Sequence, residues 1–238
     1  MATKAEYSTG QYYHIYTRGV DQRRIFMDEA DFERFYTALF LFNDQTYTSL
    51  GGQSDDKLLR LCFVETTLYD PREKLIDIVT FNLLHNHLHM VLVPLVEDGV
   101  SRFMHKILMG HSQYFNKKYD RVGALFETYK AKAITNQAHL DHMVPYAHLN
   151  TCDMFGIPWR DGVVENWDVA LKRLDEHPWS GHHVAMGREQ RLPVIADQYL
   201  AEMYRSPDDY LEHLKGWSMR ELCHIQAKNS PPGAGEPL

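Results

Sequence analysis

Residues 75–95, LIDIVTFNLLHNHLHMVLVPL, constrain the fold more than any other stretch. Two apolar runs, 75–84 and 87–95, each read as a β-strand. The second run is entered through alternating histidines, His85, His87 and His89. Side chains at i, i+2 and i+4 of a strand share one face. The sequence therefore predicts all three imidazoles on one face, with Leu88 and Met90 turned to the core on the other.

The rest of the chain supplies partners for these strands. QYYHIYTRGV (11–20) reads as a first strand ending in a turn, and MDEADFERFYTALFLFND (27–44) as an amphipathic helix with acids in its first turn. LLRLCFVETTLY (58–69) reads as a strand in a hairpin with 75–84 across DPREK. A helix over 99–120 and a short strand over 125–134 follow. A further helix spans 136–154, interrupted at Pro145, because proline inside a helix costs about 3 kcal/mol. The order β-α-β-β-β-α-β-α indicates an α+β fold, an antiparallel sheet of four to five strands with packed helices. Segments such as WDVALKRLDEH and PDDYLEHLKGW add a helical C-terminal extension. The expected organisation is a main domain over 1–155, the helical extension over 156–227 and a disordered tail over 228–238.

The hydrophobic fraction of 44% and the aromatic fraction of 12% fit a packed core. No apolar run reaches membrane-spanning length, so no membrane partner is expected. The N-terminus MATKAEYSTG lacks the apolar region of a signal peptide. Cys62, Cys152 and Cys223 are odd in number and far apart, which argues against a disulfide framework and suits a reducing, cytoplasmic setting. The net charge of −7 counts mildly against nucleic acid as a partner, yet the charge is uneven. Between Ser101 and Ala133 seven basic residues meet only Asp120 and Glu127, and Arg18, Arg23 and Arg24 form a second basic group. A basic binding face and an ordinary solvated face both fit this pattern.

Two imidazoles two apart on a strand can converge on one metal ion. Fourteen histidines in 238 residues give about one His-x-His pair by chance, so spacing alone leaves a plain structural role open. A metal held by histidines and neutral ligands stays cationic and favours an anionic substrate such as a phosphodiester. In PYAHLN, Tyr146 and Asn150 are four apart and share a helical face. A tyrosine hydroxyl and an amide oxygen can then approach the same ion; Tyr146 as a packing aromatic is the alternative.

At this point the residues resemble a known family. LHNHLHMVLV looks like the Met-Pro-Asn-His-x-His-Leu strand of the HUH single-tyrosine transposases, in particular the REP-associated tyrosine transposases. YYHIYTRGVDQRRIF is similar to the family's opening strand, which ends in Arg-Gly and leads to Ile-Phe. SRFMHKILMGHSQYFNKKYDRVGALFETYKAKAI is similar to its helix-loop-strand block, YAHLN to its Tyr-Ile-x-x-Asn-Pro and HPWSGHHVAMG to its Trp-Ser-Ser segment. The resemblance covers roughly residues 11 to 187.

The resemblance implies an HUH, ferredoxin-like sandwich. It implies a metal-dependent single-stranded DNA endonuclease and strand transferase, a transposase acting on hairpin DNA through a 5′-phosphotyrosine. His87 and His89 would be the metal-binding pair, Asn150 the third ligand and Tyr146 the nucleophile. The ion would be Mn2+ or Mg2+, with histidine ligation favouring manganese. Tyr114, Phe115, Lys117, Lys118 and Arg121, with Arg18, Arg23, Arg24 and Lys130, would grip and stack the strand. Relatives work as monomers or homodimers. Three positions depart from the pattern: His85 replaces the usual proline and offers a third imidazole, Thr151 replaces another proline, and Pro145 directly precedes Tyr146. Two other readings stand beside this one. One is a non-catalytic module on the same sheet that binds single-stranded nucleic acid. The other is a zinc hydrolase built on His85, His87 and His89, with no role for tyrosine.

Overall fold

The computed structural model describes residues 7–46, 72–160 and 164–217. The strand expected over 58–69, its hairpin, Cys62, Cys223 and the tail from 228 lie outside the described residues. One antiparallel sheet of four strands organises the rest. Its strands are β1 Tyr12–Arg18, β2 Ile76–Leu84, β3 His87–Pro94 and β4 Lys130–Ile134, in the order β2-β3-β1-β4. The described helices are α1 Glu29–Leu41, α2 Gly99–Lys118, α3 Gln137–Leu149, α4 Trp167–Asp175, α5 His182–Ala185, α6 Gln198–Met203 and α7 Pro207–Gly216. A 3-10 segment, Asn150–Phe155, continues α3. This is the expected α+β class. The strand expected over 125–134 is shorter: only Lys130–Ile134 joins the sheet, and Phe126 makes an isolated bridge to Gly19.

Both faces of the sheet are covered, which is why β2 is buried along its whole length. On one face Ile15, Phe81, Leu88, Met90 and Leu92 form an apolar layer. Tyr36 of α1 reaches it, its ring 5.9 Å from Phe81. The Asp28 side chain starts α1 by accepting from Asp31 N. Asp31 itself is wholly buried, and it accepts from Met27 N (2.7 Å), Tyr114 Oη (2.9 Å), Lys118 Nζ (2.7 Å) and Tyr119 Oη (2.8 Å). Burial alone would raise its pKa, but the Lys118 ammonium and these donors outweigh it and hold the carboxyl below its ordinary range. This ion pair pins α2 to α1.

The two sheet edges are handled differently. The outer edge of β2 is capped by the C-terminal segment: Leu83 N donates to Trp179 O (2.9 Å), Gly181 N to Phe81 O (2.8 Å) and Ala196 N to Ile78 O (2.9 Å). The other edge, β4, is short and presents exposed Lys130 and Lys132, a charge pattern that discourages further strand pairing.

Two sequence expectations are corrected here. His85 does not share a face with His87 and His89. Leu84 pairs with His87, so His85 and Asn86 form a two-residue loop and the alternation begins only at His87. The His85 ring lies 5.7 Å from Phe32 of α1, on the opposite side of the sheet from His89. Pro145 does not interrupt α3, which runs unbroken through it. Met143, Val144, Pro145 and Ala147 are all buried. Burial at about 1.5–3 kcal/mol per large apolar side chain offsets the local cost of the proline.

Several histidines are structural. His111 Nε2 donates to Ile25 O (2.7 Å), and His177 Nε2 donates to Leu83 O (2.8 Å). Burial pushes the pKa of both, and of His142 and His182, down to about 4. In the unfolded chain the same imidazoles titrate near about 6.5. Between those values the unfolded state binds more protons, so stability falls as pH drops through that window and is flat above it. The urea midpoint is expected to be constant above about pH 7.5 and to fall steadily toward about pH 5. A midpoint that holds or rises on acidification would contradict these buried neutral rings.

Candidate functional site

Directly opposed residues of an antiparallel ladder share a face. Three rows therefore cross the second face of the sheet: Lys132, His14, Val91 and Thr80; Lys130, Tyr16, His89 and Asn82; and Arg18, His87 and Leu84. Helix α3 lies on this face. Asn82 Nδ2 donates to Ala147 O (2.7 Å) and to Thr151 Oγ1 (3.0 Å), which fixes the C-terminal end of α3 over the middle row. Tyr146 then stands with its ring edge-on to His89 (5.5 Å) and to His14 (5.9 Å). Trp159 and Trp217 flank the same ring at 5.7 and 5.9 Å.

One imidazole has a defined hydrogen-bonding state. His87 Nδ1 lies 2.7 Å from Asn86 Oδ1, which can only accept, so Nδ1 carries the hydrogen and Nε2 the lone pair. His89 Nδ1 lies 2.9 Å from His14 Nε2, which leaves Nε2 as its other ring nitrogen. Burial pushes the His87 pKa down to about 4, with the Arg160 and Arg18 cations adding to the effect and Asp153 opposing it. Burial, then the neighbouring His14 and His87 rings, drive His89 well below its ordinary value. Both rings are therefore neutral, the form that ligates metal.

Asn150 follows α3 by one residue and is buried. Its Nδ2 donates to Tyr146 O (2.6 Å), and its side chain lies near enough to His87 to oppose the fall in that ring's pKa. Its Oδ1 accepts from Arg160 Nη2 at 3.3 Å. Asp153 takes the same Nη2 through Oδ2 and Trp159 Nε1 through Oδ1 (2.7 Å). Among the described residues no group of three or more His, Cys, Asp or Glu side chains gathers to hold a metal ion. The donors that do converge are two imidazoles and an asparagine. Opposite His89, Asn82 Oδ1 is buried with no hydrogen-bond partner among the described residues, so a further oxygen is unspent on this face. This nitrogen-rich set with neutral oxygens fits manganese better than magnesium.

A buried hydrogen-bond chain ties α3 to the C-terminal layer. The Asp175 carboxylate can only accept, so His182 Nε2 donates to it (3.2 Å). The neutral ring's Nδ1 then accepts from Tyr210 Oη (2.8 Å). Tyr210 Oη in turn accepts from His148 Nδ1 (2.9 Å), and His148 Nε2 accepts from Thr80 Oγ1 (2.6 Å). Every hydrogen in the chain has one placement once both imidazoles are neutral, and burial keeps them so. Gly181 is required beside it, because a Cβ there would meet Thr80 Oγ1 at 2.0 Å and His148 Nε2 at 3.0 Å. His148 sits between Tyr146 and Asn150, so the chain holds the turn that carries both.

The structure thus brings His87, His89, Tyr146 and Asn150 together on one face, with Arg18 in the His87 row and Lys130 in the His89 row. Arg18 lies 3.6 Å from Glu127, and Lys130 lies 5.9 Å over the Tyr16 ring. The other basic and aromatic candidates are elsewhere. Tyr114 and Lys118 turn to Asp31 of α1, across the sheet from His89. Phe115 is buried, and Arg121 donates to Asn116 Oδ1 (2.8 Å) while lying over the Phe115 ring. Lys117 is exposed on α2. Arg23 donates to Val20 O (2.8 Å) and pairs with Asp21, and exposed Arg24 lies close enough to His85 to help lower its pKa. His14, Tyr16, Lys132 and Arg160 complete the face without having been singled out. Strand parity from Arg18 back through Tyr16 to His14 could have found two of them. Nothing in the spacing marks Arg160.

No protein-family model matches the chain, and no curated protein matches it. Among solved structures it is similar to a REP-associated tyrosine transposase bound to a REP hairpin, at 15% identity and a TM-score of 0.45, over 80% of this chain and 88% of that one. Among the described residues no helix is long and apolar enough to cross a membrane.

Removing the Tyr210 hydroxyl strands an N–H on His148 and an acceptor on His182. Tyr210→Phe is expected to cost about 1–3 kcal/mol in urea unfolding. A variant as stable as the parent would show that the chain of hydrogen bonds does not hold α3.

Proposed function

We propose that this chain is a metal-dependent, single-stranded DNA strand transferase acting on hairpin DNA, with Tyr146 as nucleophile. The observation that carries the reading is the meeting of Tyr146 with His87, His89 and Asn150 on one face of the sheet. The order of motifs along the chain supports it independently. The turn of His85 toward α1 speaks against a hydrolase built on three strand imidazoles.

Each residue has a task that follows from its place. His87, His89 and Asn150 would hold a divalent cation, which when bound polarises a phosphodiester as a Lewis acid. Tyr146 is directed by the Asn82 contact and by its packing against two histidines and two tryptophans. A tyrosine hydroxyl is a weak nucleophile at neutral pH, so the attack depends on placement and on charge stabilisation at phosphorus. The phenolic oxygen forms a bond to phosphorus as the bond from phosphorus to the 3′ oxygen breaks. The phenolic proton is released, and the departing oxygen is protonated to a free 3′-hydroxyl. The 5′ side remains on the protein as a phosphotyrosine ester. Because that ester keeps the phosphodiester's energy, a 3′-hydroxyl can later attack it and rejoin the strand without ATP. Arg18 and Lys130 share the rows of His87 and His89 and offer charge to the strand's backbone, with Tyr16 as a stacking surface.

Purified protein is mixed with manganese and hairpin oligonucleotides drawn from DNA flanking its own gene, and cleavage rates are compared. Tyr146→Phe is expected to fall to background, and His87→Ala and His89→Ala to lose about 10²-fold or more. Cleavage that survives Tyr146→Phe would sink the reading. Tight hairpin binding without cleavage, across several metals, would instead make the chain a binding module.

A further inference from the structure

Arg160 lies in the loop after Asn150–Phe155, where the sequence has no periodic pattern. Its guanidinium is held on three sides. It lies 4.6 Å over the Trp159 indole, which is itself buried. It pairs with Asp153 Oδ2, and it donates to Asn150 Oδ1. Both hydrogen bonds leave from Nη2, so Nε and Nη1 have no partner among the described residues. The side chain is 44% exposed, open to a ligand from solvent.

Its surroundings point to what that ligand would be. Trp159 also touches Tyr146, so the phenol and the guanidinium share one indole as a neighbour. The Arg160 charge is felt at both His87 and His89, which places it within electrostatic reach of the row that faces Tyr146. Asp153 balances one charge and fixes the orientation of the plane. The bond to Asn150, at 3.3 Å, is the long and weak one. An arriving anion can take it over together with Nη1, presenting the planar fork that suits phosphate oxygens. The same exchange frees Asn150 Oδ1.

We propose that Arg160 is a phosphate-binding residue of this site, taking a non-bridging oxygen of a DNA phosphodiester through Nη1 and the Nη2 hydrogen it now shares with Asn150. Which phosphodiester it takes, the one beside Tyr146, rests on the strand-transfer reading; that it binds the group does not. It is distinct from Arg18 and Lys130, which lie on the sheet, because it contacts Asn150 directly.

The test follows the Arg160 Nε–Hε resonance of the 15N-labelled full chain, assigned by its loss in Arg160→Lys. The probes are the dinucleotide TpT and inorganic phosphate, in metal-free buffer with a chelator. A saturable shift of that resonance with both probes is expected, and Arg160→Lys should weaken TpT binding while leaving the circular dichroism spectrum unchanged. For longer single strands, Arg160→Ala should reduce the slope of log K against log salt by about 0.7. A resonance that does not move, or a salt slope unchanged in Arg160→Ala, overturns the proposal. The two readings separate cleanly. Phosphodiester binding at Arg160 with no DNA cleavage by the parent protein sinks strand transfer alone. Cleavage with an unmoved Arg160 resonance sinks the Arg160 assignment alone.

Discussion

The buried amide of Asn82 joins the sheet to the helix that carries Tyr146 and Asn150. It sits directly opposite His89 and donates across to Ala147 O and Thr151 Oγ1, at the C-terminal end of α3. One residue therefore sets the distance between the histidine row and the tyrosine. The Thr80 to His148 bond repeats the link one row away, and Tyr210 and His182 extend it to Asp175. Polar bonds inside a packed layer are costly to break and directional, so they fix register where apolar contacts would allow sliding. The site is placed by these bonds, and the apolar layer on the other face supplies the stability that supports them.

The electrostatics of the face follow from burial. His87, His89 and His14 are all shifted toward the neutral form, mainly by desolvation. Neutral imidazoles keep lone pairs available for a cation and avoid repelling it. The fixed positive charge comes from Arg18, Arg160 and the lysines of β4, each on the rim. An acidic chain thus carries a local cationic border around an uncharged row, an arrangement suited to a polyanion that must approach closely.

Much of the fold was legible because strand and helix periods are strong local signals. β2, β3 and α2 lie within two residues of where their apolar patterns put them. Alternation also placed His87 and His89 on one face, opposite Leu88 and Met90. It failed at His85, because the parity rule holds only inside a strand and His85 lies in the hairpin loop. It failed at Pro145, where burial of the helix face overrides local propensity. Tyr114 and Lys118 looked like a basic, aromatic binding surface, but the buried Asp31 carboxylate, 83 and 87 positions away in α1, claims them, and no local pattern announces such a pairing. Arg160 was hidden for the same reason: its role depends on a loop returning to Asn150.

In the proposed strand transfer the Tyr146 hydroxyl attacks a DNA phosphodiester on the histidine face. The most direct test is to recover the protein after reaction with a flanking hairpin oligonucleotide, digest it, and locate any DNA-bearing peptide by mass spectrometry. Strand transfer predicts an SDS-resistant species whose nucleotide remnant maps to Tyr146 and which is lost in His87→Ala. A remnant on any other residue, or cleaved DNA with no covalent species under trapping conditions, would contradict it.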